Sequence, residues 1–200
     1  MPALRRLTIA AALTLSFAGL PASAATGNGE FAIKDAGKAD CSSFIAAKNS
    51  GGEEYGRFSG WLMGYISAYN QVMPETFDIA PWQEMDLLMA LMQNFCEKNG
   101  DTKYLPAAAG LISIIKPMNL TDKSEPVTAR HKGEKVQVYR AIMKRLQKRL
   151  KEQGFYASDI DGLYGPGTRR AIIAFQRQEG VPETGLPDQV TLYRALMPRG

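Results

Sequence analysis

Apolar residues in the first half of the chain recur at intervals of three and four, the spacing of a helix with one buried face. The clearest case covers residues 55–73, where Pro74 stops the pattern. Pro81 suits a helix start, and Asn99-Gly100 suits a helix end. The spacing predicts helices at residues 41–47, 55–73, 81–99 and 106–115, without convincing strand alternation. The first half is therefore predicted to be a helical bundle.

Three further helices are predicted in the last third of the chain. The first covers about residues 137–153, with Lys and Arg on its polar face and Gly154 at its end. An Asp-Gly turn and a Gly-Pro-Gly turn then reverse the chain. The second helix opens near Thr168, and the third opens at Pro187.

Residues 117–135 separate these two parts. They hold two prolines, several Ser, Thr and Asp residues and almost no apolar periodicity, which is typical of a linker or a loosely packed connection. Residues 25–40 also have an irregular pattern. The predicted organisation is a leader at 1–24, a helical domain at 25–116, a linker at 117–135 and a second domain at 136–200.

The leader has the features of a secretory signal peptide. Arg5 and Arg6 precede an apolar run of about 14 residues, and small residues in an A-x-A arrangement then end at Ala24. The run is shorter than the roughly 20 residues that span a bilayer, so an uncleaved anchor is the weaker alternative. The sequence predicts an exported protein of the periplasm or cell envelope, with no integral membrane segment after cleavage.

Cys41 and Cys96 are the two cysteines of the chain. Export would place them where oxidation is favoured, so a disulfide between them is predicted, with two buried thiols as the alternative. Closing a loop of about 55 residues stabilises a fold by roughly 4 kcal/mol in the chain-entropy model.

Residues 154–176, GFYASDIDGLYGPGTRRAIIAFQ, combine a helix end, two turns and a helix start. With its flanks, this segment resembles the peptidoglycan-binding type 1 domain, a small three-helix module of cell-wall proteins. The resemblance covers roughly residues 136–197, about a third of the chain. The matching positions are Leu146, Gln147, Leu150, Gly154, Tyr156, Ile160, Asp161, Gly162, Tyr164, Gly165, Thr168, Ala171, Ile172, Phe175, Gln176, Gly185, Asp188, Thr191, Leu192 and Leu196.

The resemblance implies a three-helix peptidoglycan-binding-like domain at the C-terminus. With the helices, disulfide and linker predicted above, the expected fold is mainly α, in which a disulfide-stapled N-terminal bundle is joined by a linker to that domain. Most matching residues have a structural explanation as turn or core positions. The candidate ligand contacts are polar and aromatic groups near the first loop, because sugars stack on aromatic rings and carboxylates pair with arginine. They are Tyr156, Asp161, Tyr164, Thr168, Arg169 and Arg170. For Asp161, the alternative is that it holds the turn through its own backbone.

The charge is unevenly distributed along the chain. Residues 25–134 hold 10 basic and 14 acidic residues, whereas residues 135–200 hold 12 basic and 6 acidic residues. A basic surface can bind nucleic acid, but the anions available to an exported protein are stem-peptide carboxylates and lipid headgroups. The charge alone does not choose among these anions. Peptidoglycan is the partner that the resemblance implies, and nucleic acid is not expected.

The sequence contains few residues that could form a metal site or a catalytic site. Asp159 and Asp161 begin an acidic loop like that of a calcium site. The EF-hand pattern fails, because Gly162 follows directly and the twelfth position holds Arg170. His131 is the only histidine, too few for a zinc amidase, and it lies in the predicted linker, where a solvated side chain is expected. We predict no cofactor, no metal and no enzymatic activity.

The N-terminal part is similar to small periplasmic helical proteins of the acid-stress chaperone and Rap1a/Tai immunity types. The similarity rests on an early cysteine, on Gly60-Trp61 and Gly64-Tyr65 in one helix, and on the pair Phe95-Cys96. It implies a possible protein partner. The apolar stripes at helical spacing are predicted to be core, with a partner-binding groove as the alternative; they consist of Trp61, Tyr65, Tyr69, Met85, Met89 and Met92.

The main prediction is a non-catalytic, exported, cell-wall-associated protein that binds peptidoglycan through its C-terminal domain. One alternative is a periplasmic chaperone or toxin-immunity protein that acts through the N-terminal bundle. The other is an accessory of a wall hydrolase.

Overall fold

The structure, a computed structural model, describes residues 26–197. The predicted signal peptide lies outside the described residues. Residues 26–32 belong to a unit of their own, in which the Gly29 amide donates a 2.8 Å hydrogen bond to the Thr26 carbonyl. The elements described below belong to the main body of the protein, which begins at Ile33.

The first half of this main body is helical, as predicted. A 3-10 turn at Asp35–Lys38 precedes α1 (Cys41–Ser50), α2 (Gly52–Val72), α3 (Met85–Cys96) and α4 (Tyr104–Ile115), and a second 3-10 turn at Lys116–Met118 follows. None of the helices in the described part of the chain is both long and apolar enough to span a membrane.

The start of α3 differs from the prediction, because Pro81 lies before the helix rather than at its first turn. Residues 78–84 run as an irregular segment that is fixed by its own contacts. Asp78 forms a bridge with Leu120, and the Ile79 amide donates to Asn70 Oδ1 over 2.9 Å. Met85 was predicted to be a core residue of this helix, yet it is exposed, as is Phe95 near the other end of the helix.

The core of the bundle is aromatic and is closed by the predicted disulfide. Tyr104 is fully buried, with its ring centroid 5.2 Å from that of Phe44 and 4.9 Å from that of Phe58. Burial raises the pKa of Tyr104. Cys41 and Cys96 form a disulfide that joins the first residue of α1 to the last residue of α3.

The connection at 117–135 is more ordered than its composition predicts. It contains β1 (Pro126–His131), which pairs in antiparallel register with β2 (Glu134–Tyr139). Lys132 and Gly133 form the two-residue turn, both with positive φ, as a type I′ hairpin requires. Ala129 is fully buried. The apolar residues Val127, Ala129, Val136 and Val138 are buried or half-buried in these strands, so the segment is more ordered than a loosely packed connection, and its role as a linker between domains stays a prediction.

Three helices follow the hairpin, as the sequence predicts. They are α5 (Arg140–Glu152), α6 (Pro166–Glu179) and α7 (Gln189–Leu196). The first begins later than expected, because residues 137–139 belong to β2. The buried apolar side chains of the three helices are Ile142, Met143, Leu146, Leu150, Ala171, Ile172, Phe175, Leu192 and Ala195.

The hairpin and α5 are tied to the first half of the chain. The Arg145 guanidinium donates to the carbonyls of Met118 and Asn119, and burial lowers the pKa of Arg145. The rings of Phe77 and Tyr139 meet edge to face at 6.0 Å. These contacts lie within one compact unit, so the division into two domains stays a prediction.

Candidate functional site at the amino end of α6

A buried glutamine of α5 organises the loop that leads into α6. Gln147 is fully buried, and its Oε1 accepts a 2.7 Å hydrogen bond from the Gly162 amide. Its Nε2 lies 2.8 Å from Asp161 Oδ1, 3.0 Å from the Leu163 carbonyl oxygen and 3.1 Å from Thr168 Oγ1. One carboxamide thus fixes both sides of the turn and the first turn of the next helix.

A second buried glutamine repeats this arrangement one helix later. Gln176 Oε1 accepts a 2.8 Å hydrogen bond from the Gly185 amide. Its Nε2 lies 2.8 Å from Thr184 Oγ1, 3.3 Å from the Leu186 carbonyl oxygen and 2.8 Å from Thr191 Oγ1. Each glutamine therefore holds the N–H of a glycine, the carbonyl of the following leucine and the hydroxyl of a threonine in the next helix.

Both glycines need the left-handed backbone that other residues rarely adopt, with φ of +75° at Gly162 and +69° at Gly185. A Cβ at Gly162 would lie 2.8 Å from the Arg140 carbonyl oxygen. A Cβ at Gly185 would lie 3.1 Å from a His131 ring carbon and 3.2 Å from Arg169 Cγ. The turns are therefore fixed by packing as well as by hydrogen bonds.

Three of the six candidate contacts are engaged in this network. Tyr156 and Thr168 are buried, and the Tyr156 hydroxyl donates to a backbone carbonyl over 2.8 Å. Asp161 Oδ1 accepts a 2.8 Å hydrogen bond from the Leu163 amide. That bond, followed by the one from Gln147, lowers the pKa of Asp161. These residues hold the loop, and their contact with a ligand stays a prediction.

The other three candidates lie at the surface or close to it. The Tyr164 hydroxyl donates to the Gly185 carbonyl over 2.7 Å, which links the two loops, and burial raises the pKa of this half-buried tyrosine. Arg169 is half-buried and Arg170 is exposed. Within residues 26–197, neither guanidinium takes part in an ion pair. Both charges remain available to an external anion.

The two arginines are the fourth and fifth residues of α6, close to a helix end that no side chain caps. Gly165 is the N-cap, and Pro166 follows as the first helical residue. Pro166 has no N–H, and the Arg169 amide donates to the Gly165 carbonyl over 2.9 Å. The amides of Gly167 and Thr168 have no carbonyl partner within the helix, and the helix dipole makes this end positive. Together with two guanidinium groups, this end suits a carboxylate.

His131 is placed beside this site by the hairpin, although the sequence placed it in a linker. Burial lowers the pKa of His131, and the nearby charges of Arg169 and Lys132 lower it further. The imidazole is therefore neutral near pH 7, and the arginines supply the positive charge. Within the described part of the chain, no group of three or more His, Cys, Asp or Glu side chains could hold a metal ion.

Sequence reasoning named Gln147 and Gln176 only as matching positions and missed their role. The available signal was a glutamine in the apolar face of each helix, followed by a Gly-Leu pair and then a threonine. Buried polar side chains of this kind need several partners, which turns can supply.

Comparison with known families agrees with this geometry. Residues 140–194 match the model of the family described as "Putative peptidoglycan binding domain". The match covers α5, α6 and most of α7, which together contain both glutamines. It confirms the resemblance of the C-terminal part to this family. No solved structure matches the chain.

Two curated proteins share short stretches with the chain. The "Putative OxPP cycle protein OpcA" of Synechococcus elongatus is 48% identical over 50 residues, which cover 25% of this chain and 11% of that protein. The "Localization factor PodJL" of Caulobacter vibrioides is 44% identical over 48 residues, which cover 24% of this chain and 5% of that protein. The chain therefore matches only a small part of the length of these relatives.

Proposed function

We propose that the protein is a non-catalytic, exported component of the cell envelope that binds peptidoglycan through residues 140–194. The family match over these residues carries the proposal. Export is supported by the signal-peptide features of residues 1–24. It is also supported by the Cys41–Cys96 disulfide, since such bonds persist in oxidising compartments such as the periplasm.

The contact surface that we propose is the amino end of α6, with Arg169, Arg170 and Tyr164. The two arginines supply unpaired positive charge, and the tyrosine supplies a half-buried ring beside them. Peptidoglycan offers carboxylates on its stem peptides and sugars with apolar faces, so one ligand can use both kinds of group.

Co-sedimentation of residues 25–200 with purified sacculi tests this proposal. We expect the protein to sediment with sacculi at low salt, and the variant Arg169→Gln with Arg170→Gln to bind about tenfold more weakly, because charge-assisted hydrogen bonds are lost. If the protein stays entirely in the supernatant, the proposed function is wrong.

The matched control removes the same charge from another face of the module. Lys148 and Arg194 are exposed, so Lys148→Gln with Arg194→Gln should leave most of the binding intact. Equal losses in the two double variants would mean that net charge drives the binding, and the amino end of α6 would no longer be the proposed contact.

A second function, binding of a protein partner by the N-terminal helices, has its own supporting observation. A groove of about 340 Å³ lies between α3 and α4, with Leu91, Phe95, Leu111 and Ile114 among its lining residues. The Ile114 side chain is 54% exposed. Exposed apolar side chains around a groove are typical of a binding surface for unfolded or partner chains.

Light scattering of an acid-denatured client protein tests this second candidate. Residues 25–200 should suppress aggregation of the client, and Ile114→Lys should reduce the suppression because it places a charge in the groove. Equal aggregation with and without the protein would count against a chaperone role.

A further inference from the structure

The hairpin formed by β1 and β2 holds His131 against the contact surface that we propose at the amino end of α6. A Cβ at Gly185 would lie 3.1 Å from a ring carbon of His131 and 3.2 Å from Arg169 Cγ. The imidazole and the aliphatic part of the arginine side chain therefore pack over the same glycine. Residue 131 lies before the family match at 140–194, so the hairpin adds this neighbour to the matched helices.

The charges around the imidazole come from the hairpin, from α6 and from the loop that leads into α7. Arg130 and Lys132 flank the histidine in the hairpin, and Glu134 is paired with it across the two strands. Arg169 faces it from α6. The loop contributes Glu183, which already forms an ion pair. Of the residues that the structure describes, none forms an ion pair with the imidazole. Positive charge therefore predominates around the ring.

These surroundings keep the imidazole neutral until an anion arrives. Burial lowers the pKa of His131, and the charges of Arg169 and Lys132 lower it further. An anion bound beside Arg169 would offset that repulsion and favour the protonated ring. Proton uptake and anion binding then strengthen each other, because the coupling between two binding events is reciprocal.

We propose that His131 is a pH-sensing residue of the anion site at the amino end of α6, and that it takes up a proton when a carboxylate binds beside Arg169. The proposal rests on the proposed function in one respect, since the stem peptides of peptidoglycan would supply the carboxylate. The half-buried ring can exchange protons with solvent.

The direction of the pH dependence follows from this coupling. Affinity for the anion is lowest above the pKa that His131 has in the complex. It rises as the pH falls through that pKa, and it levels off below the pKa of the free protein. Peptide carboxylates have ordinary pKa values of about 3 to 4, so they stay ionised over this range.

Nuclear magnetic resonance of the imidazole C–H groups tests the structural part without a ligand. Residues 25–200, prepared without a histidine tag, contain one histidine, so its titration curve is unambiguous. Arg169→Gln keeps the Cγ that packs on Gly185 and removes the charge, so the pKa of His131 should rise. The matched control Arg170→Gln should change that pKa less, because the neighbouring cations that lower it are Arg169 and Lys132. Identical curves for wild type and Arg169→Gln would overturn the proposal.

Co-sedimentation with sacculi at two pH values tests the coupling. Wild type should bind about threefold more tightly at about pH 5.5 than at about pH 7.5, the effect of one added charge that acts across a largely aqueous gap. His131→Gln should lose this increase, whereas Lys148→Gln, on another face of the module, should keep it. Equal affinity of wild type at the two pH values, or the same increase in His131→Gln, would contradict the proposal.

The dipeptide L-alanyl-γ-D-glutamate, an acidic fragment of stem peptides, separates this outcome from that of the proposed function. It should raise the pKa of His131, and the same dipeptide with amidated carboxylates should not. If the chain sediments with sacculi equally at both pH values and the acidic dipeptide leaves the pKa unchanged, the His131 proposal fails alone. If that dipeptide raises the pKa while the chain stays in the supernatant of sacculi, the His131 proposal holds and peptidoglycan binding fails.

Discussion

The loop that leads into α6 and the loop that leads into α7 are each held by a buried glutamine, but the two helices that follow begin differently. We call α5, its loop and α6 the first unit, and α6, its loop and α7 the second unit. In each unit a buried glutamine binds a glycine amide, a leucine carbonyl and a threonine hydroxyl. The scaffold is thus repeated within one small module.

The difference lies at the helix start. In the second unit, Asp188 caps α7, because its carboxylate accepts a 2.9 Å hydrogen bond from the Thr191 amide. In the first unit, the N-cap of α6 is Gly165, which has no side chain to offer, and Arg169 and Arg170 are the fourth and fifth residues of the helix. A side chain caps the start of α7, whereas no side chain caps the start of α6. This contrast is the physical reason for locating the proposed site in the first unit.

Loss of either glutamine should have the largest effect on stability. Gln147→Leu should lower the free energy of unfolding by about 4 kcal/mol, because it leaves the Gly162 amide without an acceptor and removes a hydrogen bond to the Asp161 carboxylate. Gln176→Leu should cost about 3 kcal/mol, since its partners are neutral. Urea unfolding measures both values, and Gln178→Leu is the exposed control. A larger loss at Gln176 would reverse the order that the charged partner predicts.

Substitution of the two glycines should destabilise the first unit more than the second, as for the glutamines, but with smaller losses of stability. Gly162→Ala should cost about 3 kcal/mol, because the left-handed backbone is strained and the new Cβ meets a carbonyl oxygen of α5. Gly185→Ala should cost about 2 kcal/mol, since its neighbours are side chains that can yield. Thermal unfolding of both variants tests this order, which equal losses would contradict.

Low pH should destabilise the loop of the first unit more than that of the second, with a smaller effect than these substitutions. The pKa of Asp161 in the folded state lies below its ordinary value of 3.8, so its carboxylate stabilises the fold above that value. This contribution is lost as the pH falls through the folded-state pKa. Asp161→Asn should therefore be less stable than wild type near neutral pH, with the difference shrinking at low pH.

The matching change in the second unit should behave differently. Thr184 occupies the position of Asp161 and carries no charge of its own, but its hydroxyl donates to the Asp188 carboxylate. Because that carboxylate keeps two donors from Thr191, the cost of Thr184→Val should depend on pH less than that of Asp161→Asn. Urea unfolding at about pH 6 and about pH 3 measures both differences. A constant deficit for Asp161→Asn would show that its charge contributes nothing to the turn.

The sequence allowed the helices to be predicted because helical spacing, proline and glycine act locally. The hairpin was missed because its alternation is short: Val127 and Ala129 in one strand, Val136 and Val138 in the other. The Lys132-Gly133 turn between them is the signal that could have revealed it. The late start of α3 was unpredictable for another reason, since its preceding segment is fixed by contacts with Leu120, far along the chain.

The candidate site was predicted only in part. Arg169 and Arg170 were identifiable as charges in a turn-to-helix segment. The buried states of Tyr156 and Thr168 were not, because they depend on a side chain from another helix, Gln147. The cleft between residues 78–84, the hairpin and the start of α7 was beyond sequence reasoning, since its walls come from three separate segments.

The most direct measurement of the central claim is the affinity for sacculi of Gly165→Asp, which gives α6 the cap that α7 already has. A Cβ at Gly165 meets no atom within 4 Å, so the fold should be retained or stabilised by a few tenths of a kcal/mol. The control Gln178→Glu adds a negative charge elsewhere on α6.

We expect Gly165→Asp to unfold at the same or a higher urea concentration than wild type and to bind sacculi at least tenfold more weakly, because the new carboxylate occupies the helix end and neutralises the arginines. Gln178→Glu should bind nearly as wild type. If Gly165→Asp binds sacculi as tightly as wild type, the amino end of α6 is not where the protein holds peptidoglycan.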